Sequence, residues 1–98
     1  MRVRWTETAQ AHLASIHSYV ALDSPAYAIR LVDCLTRRSQ QIASYPHSGR
    51  RVPEYDMEMI REVIEGSYRI IYLIGADRID VLAVIHGAQE LDSELPNN

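Results

Sequence analysis

The chain is expected to fold as an α+β domain, on three observations. Before residue 45, apolar residues recur every three to four positions in two successive stretches. After residue 58 they alternate every second position in three stretches. A short alternating run, Arg2-Val3-Arg4-Trp5, precedes them all. The first period belongs to amphipathic helices and the second to half-buried strands. The expected architecture is a short N-terminal strand, an antiparallel helical hairpin and a three-strand antiparallel meander, within one domain spanning residues 1–98.

The elements follow in order. Thr6 can cap a helix over residues 7–22, whose inner stripe is Ala9, Leu13, Ile16 and Val20. Asp23-Ser24-Pro25 breaks and restarts the chain, with Ser24 suited to the N-cap and Pro25 to the first helical position. The second helix is expected over 25–44, with Ala28, Leu31, Val32, Leu35 and Ile42 inward and Tyr27, Leu31 and Cys34 as a second apolar edge. So short a joint makes the pair a hairpin. Tyr45-Pro46 ends it, and residues 46–57 carry no period. Strands are expected over 59–64, 68–74 and 79–86, with turns at Glu65-Gly66-Ser67 and Gly75-Ala76-Asp77. An acidic tail from Ala88 is expected to fray after Leu95.

Composition limits the function. The net charge of -3 argues against a general nucleic-acid binder, and no direct sequence-specific DNA binding is expected. Residues 1–49 hold five Arg against three acids and residues 50–98 five Arg against ten. No lysine occurs, so any phosphate contact has to come from guanidinium groups. Cys34 stands alone, which leaves no disulfide within one chain, and it is expected to be buried as a small apolar side chain. MRVRWTETAQ contains no apolar signal run and no stretch approaches a membrane span, so the expected compartment is the cytoplasm. His12 and His17 are five apart and share no face at ligand spacing. With no glycine-rich phosphate loop and no nucleophile elbow, neither a metal nor another cofactor is expected.

Register can be read from the apolar pattern. Pairing Ile74 with Ile79 puts Tyr68, Ile70, Tyr72, Ile74, Ile79, Val81, Ala83 and Ile85 on one face, toward the helices. The other face then carries Ile71, Leu73, Leu82 and Val84 among Arg69, Asp80 and His86. Apolar surface rimmed by charge marks a partner-binding face. The alternative is that the tail or residues 46–57 lie across it. Arg61, Arg69 and His86 could gather there if Arg61 shares the face, and two guanidiniums near an imidazole suit phosphate binding or acid–base help in RNA cleavage. The alternative for the arginines is pairing with Glu62, Glu65 or Asp80, and for His86 a hydrogen bond at a strand end.

Taken together, Arg61-Glu62, Tyr68-Arg69-Ile70-Ile71-Tyr72 and the run from Ile79 to His86-Gly87 resemble the ParE/RelE superfamily of toxins from type II toxin–antitoxin systems. Ala9 with Ile16–Tyr19, Ala28, and Tyr45-Pro46-His47-Ser48-Gly49 extend the resemblance over nearly the whole chain. The resemblance implies a toxin neutralised by a small cognate antitoxin encoded beside it. It also implies a target, DNA gyrase for ParE-like members and messenger RNA on the ribosome for RelE-like ones. The ParE-like branch, acting by binding without chemistry, is favoured, because RelE-like cleavage relies on several Lys and Arg and this chain is acidic after residue 50. Family members often carry Arg directly after His-Gly, where this chain has Ala88-Gln89. That departure is the ground for a further alternative, a non-toxic remnant that only binds an antitoxin.

Overall fold

The computed structural model describes residues 1–87. Strand β1 (Arg2–Trp5) leads into helix α1 (Glu7–Ala21), then helix α2 (Pro25–Ile42). Both helices begin where their caps predict. The Thr6 hydroxyl accepts from the Ala9 amide at 3.1 Å, and that of Ser24 from Tyr27 at 3.2 Å, satisfying donors that have no intrahelical partner. A 3-10 turn at Pro46–Ser48 and a two-residue strand, β2 (Arg50–Arg51), occupy part of the stretch expected to be irregular. Strands β3 (Ile60–Glu65), β4 (Tyr68–Ile74) and β5 (Arg78–His86) form the meander. Gly66 takes φ 59°, the left-handed backbone required at the first position of a two-residue hairpin turn. The expected acidic tail from Ala88 lies outside the described residues.

The sheet runs β1-β5-β4-β3-β2, with β1 parallel to β5 and every other pair antiparallel. Thr6 joins the layers, because its hydroxyl also donates to the Val81 carbonyl at 2.8 Å. Both helices cover one face. Ala9, Leu31, Leu35 and Ile42 pack there against Val63, Ile70, Tyr72, Ile74, Ile79, Val81 and Val84. Tyr27 and Cys34 are exposed, contrary to the expected second apolar edge of α2. A helix in a two-layer fold buries one stripe, and theirs is not the stripe that meets the sheet.

The inferred register holds from Ile74↔Ile79 to Tyr72↔Val81, where a β-bulge intervenes. Ile71 pairs with Ala83, so Leu82 is the extra residue. A bulge sets two residues against one and reverses the alternation beyond it. Leu82, Ala83 and Ile85 therefore face away from the helices and Val84 faces toward them. Ala83, Val84, Ile85 and His86 are thus on the faces opposite to those inferred from the sequence.

The face away from the helices is covered by the chain itself. Val52 and Tyr55, from the segment between β2 and β3, pack with Ile60, Ile71, Leu73, Leu82, Ala83 and Ile85. This was the alternative reading of that face. Full burial of an aliphatic side chain contributes about 1.5–3 kcal/mol, so Val52, Ile71 and Leu82 together strongly favour the closed arrangement. Gly49 lets this strap start close to the sheet. A Cβ there would lie 2.6 Å from the Glu62 carbonyl oxygen and against the Tyr72 hydroxyl.

Candidate functional site

The three residues considered for catalysis do not converge. Arg61 stands opposite Tyr72, on the helix side of β3. Its guanidinium donates to the Glu58 carbonyl at 2.8 Å, the Glu58 carboxylate at 2.6 Å and the Gly49 carbonyl at 3.1 Å, which ties the strap's two ends together. Arg69 stands opposite Ile64 and Ile85, on the strap side. His86 stands opposite Tyr68 and has moved to the helix side with the parity change at the bulge. Its ring meets that of Tyr68 edge-on, with centroids 5.8 Å apart. A shared phosphate needs all three donors on one face, and they are divided between two.

Arg69 instead anchors a buried ionic network. It is 6% exposed and Glu62 is 1% exposed. Arg69 Nε donates to Glu62 at 2.5 Å, and its two terminal amino groups reach both Glu54 oxygens at 2.9 Å. The second Glu62 oxygen accepts from Arg50 Nε at 2.5 Å. Bidentate pairing of this kind fixes orientation as well as charge. The hydrogen bonds that Arg69 donates to Glu54 and Glu62 hold its guanidinium well above its ordinary value, against desolvation. Glu62 is one of the three alternative partners expected for Arg69 from the sequence. Glu54 and Arg50 were missed, since nothing in an aperiodic loop indicates which of its charges turn inward.

The strap also engages the helix-side core. The buried Tyr72 hydroxyl donates to the Pro46 carbonyl at 2.5 Å. Burial pushes this phenol above its ordinary value, so it remains a donor.

Two of the four predicted partner-binding residues, Ile71 and Leu82, are buried beneath the strap, and Leu73 is half-buried at its margin. Val84 lies on the helix side, where it lines a cavity of about 300 Å³ with His12, Ser15, Ile16, Tyr19, Tyr68, Ile85 and His86. His12 helps close this end of the sheet, because its Nδ1 accepts from the Val84 amide at 3.2 Å. Ser15 and Tyr19 continue from the cavity into a shallower depression with Ala14, Ser18 and Leu22. Tyr19 is 77% and Leu22 82% exposed. Tyr19 and Leu22 are thus large apolar side chains left open beside the cavity. The sequence signal was available, since Tyr19 and Leu22 fall outside the inner stripe of α1. Among the described residues no three His, Cys, Asp or Glu could hold a metal ion, and no helix is long and apolar enough to cross a membrane.

Comparison with known proteins agrees with this architecture. Protein Y4kP of Sinorhizobium fredii (strain NBRC 101917 / NGR234), whose name marks it as a candidate toxin, is 33% identical over 91 residues, which is 91% of each chain. A chain from the chromosomal ParDE toxin–antitoxin system of P. aeruginosa has a similar fold, with a TM-score of 0.73 at 21% identity over 88% of this chain and 95% of that one. A chain of the RelBE2 toxin–antitoxin complex of Mycobacterium tuberculosis follows, with a TM-score of 0.64 at 20% identity over 87% and 95%. Residues 3–91 match the family described as the ParE toxin of the type II toxin–antitoxin system parDE, and the chain belongs to that family.

Proposed function

We propose that this chain is a ParE-like toxin that acts by binding, inhibits DNA gyrase, and is neutralised by a cognate antitoxin encoded beside it. The observation that carries the reading is the family match over residues 3–91. Two structural features support a mode of action by contact. Arg61, Arg69 and His86 are divided between two faces and engaged in packing or ion pairs, so these three candidates are not gathered around one point among the described residues. The exposed Tyr19 and Leu22, beside the cavity lined by Val84 and His86, offer apolar surface that a partner would cover. In this reading the antitoxin covers the α1 side of the molecule, and Ile71, Leu73 and Leu82 serve the strap.

The test is expression of the chain alone and together with the product of the adjacent short gene. Growth arrest relieved by co-expression, with purified folded protein blocking gyrase supercoiling, is the expected result. Normal supercoiling at saturating protein would overturn the gyrase assignment. Transcripts cut on translating ribosomes, with cleavage lost in His86→Ala, would instead make it a RelE-like endonuclease. Harmless expression with tight binding to the neighbouring product would make it a non-toxic antitoxin binder.

A further inference from the structure

One edge of the sheet carries positive charge that the described residues only partly neutralise. In β1, Arg2 and Arg4 are two apart and share a face, and the parallel register sets Arg2 beside Arg78 and Arg4 beside Asp80. Arg4 and Arg78 therefore flank the Asp80 carboxylate, and Arg2 extends the row of guanidiniums beside Arg78. Arg4 and Arg78 both approach the same Asp80 oxygen through Nε, each at 3.0 Å. That geometry leaves the terminal amino groups of both without a protein acceptor among the described residues, and Arg2 is exposed with no ion pair there. Arginine forks bind carboxylates in a bidentate manner, so these groups remain competent for a second acid.

β1 is also an outer strand of the sheet, with β5 as its neighbour on one side and no described strand on the other. An outer strand presents backbone amides and carbonyls and is a template for another strand; on β1 the Trp5 carbonyl accepts from the exposed Gln10 side chain at 2.9 Å, a bond that a docking strand would replace. The opposite edge differs. β2 has two residues, and both of its arginines are already paired, Arg50 with Glu62 and Arg51 with Asp56 and Glu58. A second copy of this chain is a poor occupant for β1, because it would set arginines against arginines. On the helix side of β1, Val3 and Trp5 pack against the core while staying partly open.

We propose that β1 is the docking edge for an extended acidic segment of a protein partner, in which Glu or Asp alternates with apolar residues. Its backbone adds a strand outside β1. Its carboxylates fall on the Arg2, Arg4 and Arg78 side, and its apolar residues fall beside Val3 and Trp5. The period of two along a strand demands this alternation.

The experiment uses the full chain and two peptides of one composition, acetyl-Glu-Val-Glu-Val-Glu-Val-Glu-amide and a permuted form with the four glutamates in one block. Binding is followed by titration of assigned amide resonances and by hydrogen exchange. The alternating peptide should shift and protect residues 2–5, weaken as salt rises, and bind about threefold to tenfold less well to the Arg2→Gln/Arg4→Gln variant. If the double variant does not fold, Arg2→Gln alone, at an exposed unpaired side chain, serves the same purpose. Equal binding of the permuted peptide, unperturbed β1 amides at millimolar peptide, or affinity unchanged by the substitutions would each overturn the proposal. So would a uridine oligonucleotide that displaces the peptide and perturbs the same amides more strongly, which would make the edge a nucleic-acid surface. None of these readouts depends on growth arrest or gyrase, so the outcome is independent of the toxin assignment.

Discussion

Glu62 is a fully buried carboxylate held between Arg69 and Arg50, and it illustrates why a charge can be essential without contributing net stability. Desolvation opposes burying the group, and its partners offset that cost only while both remain. Glu62→Ala leaves Arg69 buried without the acceptor of its Nε and should cost about 3–5 kcal/mol, read from urea unfolding. Replacing both members, as Glu62→Leu with Arg69→Met, should cost clearly less than the sum of the single changes, and additive losses would contradict this account. Tyr72→Phe is a milder probe. It removes the donor to Pro46 and should lower stability by about 1 kcal/mol, without altering the sheet amides in an NMR spectrum.

At the level of elements, the bulge at Leu82 decides which residues of β5 meet the helices. It places Val84 in the helix-side core and Ile85 under the strap. Deleting Leu82 removes the extra residue, so Ala83 follows Val81 directly in the same register with β4, and Val84 and Ile85 keep their faces. The deletion should therefore cost about 2–5 kcal/mol, the loss of one large core side chain, read from urea unfolding, and should keep the native near-ultraviolet circular dichroism; its collapse would contradict this register. The helix caps are separate from this effect. Thr6→Ala removes the α1 cap and also the hydroxyl bond to Val81, so a loss of about 1–2 kcal/mol is expected in thermal unfolding. Both caps were legible beforehand, since Thr6 and Ser24 each precede a helical stripe. The bulge was not, because Val81 to Ile85 is a continuous apolar run that does not mark the extra residue, and only pairing with β4 shows it.

On the scale of the whole molecule, the parallel pair β1–β5 closes the fold by bringing the first strand against the last described one. The Arg4 hydrogen bond, with Arg78 close by, holds the Asp80 carboxyl below its ordinary value of 3.8. A carboxylate depressed in the folded state adds stability that is fully present above its unfolded value and is lost as pH falls through the folded one. The stability difference between the native chain and Asp80→Asn should therefore be constant at neutral pH and shrink only below 3.8. Urea midpoints measured across the acid range test this, and a difference that changes between pH 6 and 8 would refute the assignment.

Periodicity and caps were enough to define the kind, order and approximate bounds of the helices and the three long strands, because those signals are local. The resemblance carried by Tyr68 to Gly87 was legible for the same reason, as a run of residues in order. The tertiary structure decided the rest. It showed that β1 lies beside β5, that the aperiodic segment covers the second face, and that Arg61, Arg69 and His86 are held apart. Each of these depends on contacts between residues distant in the chain, where one extra residue in a strand reverses every face beyond it.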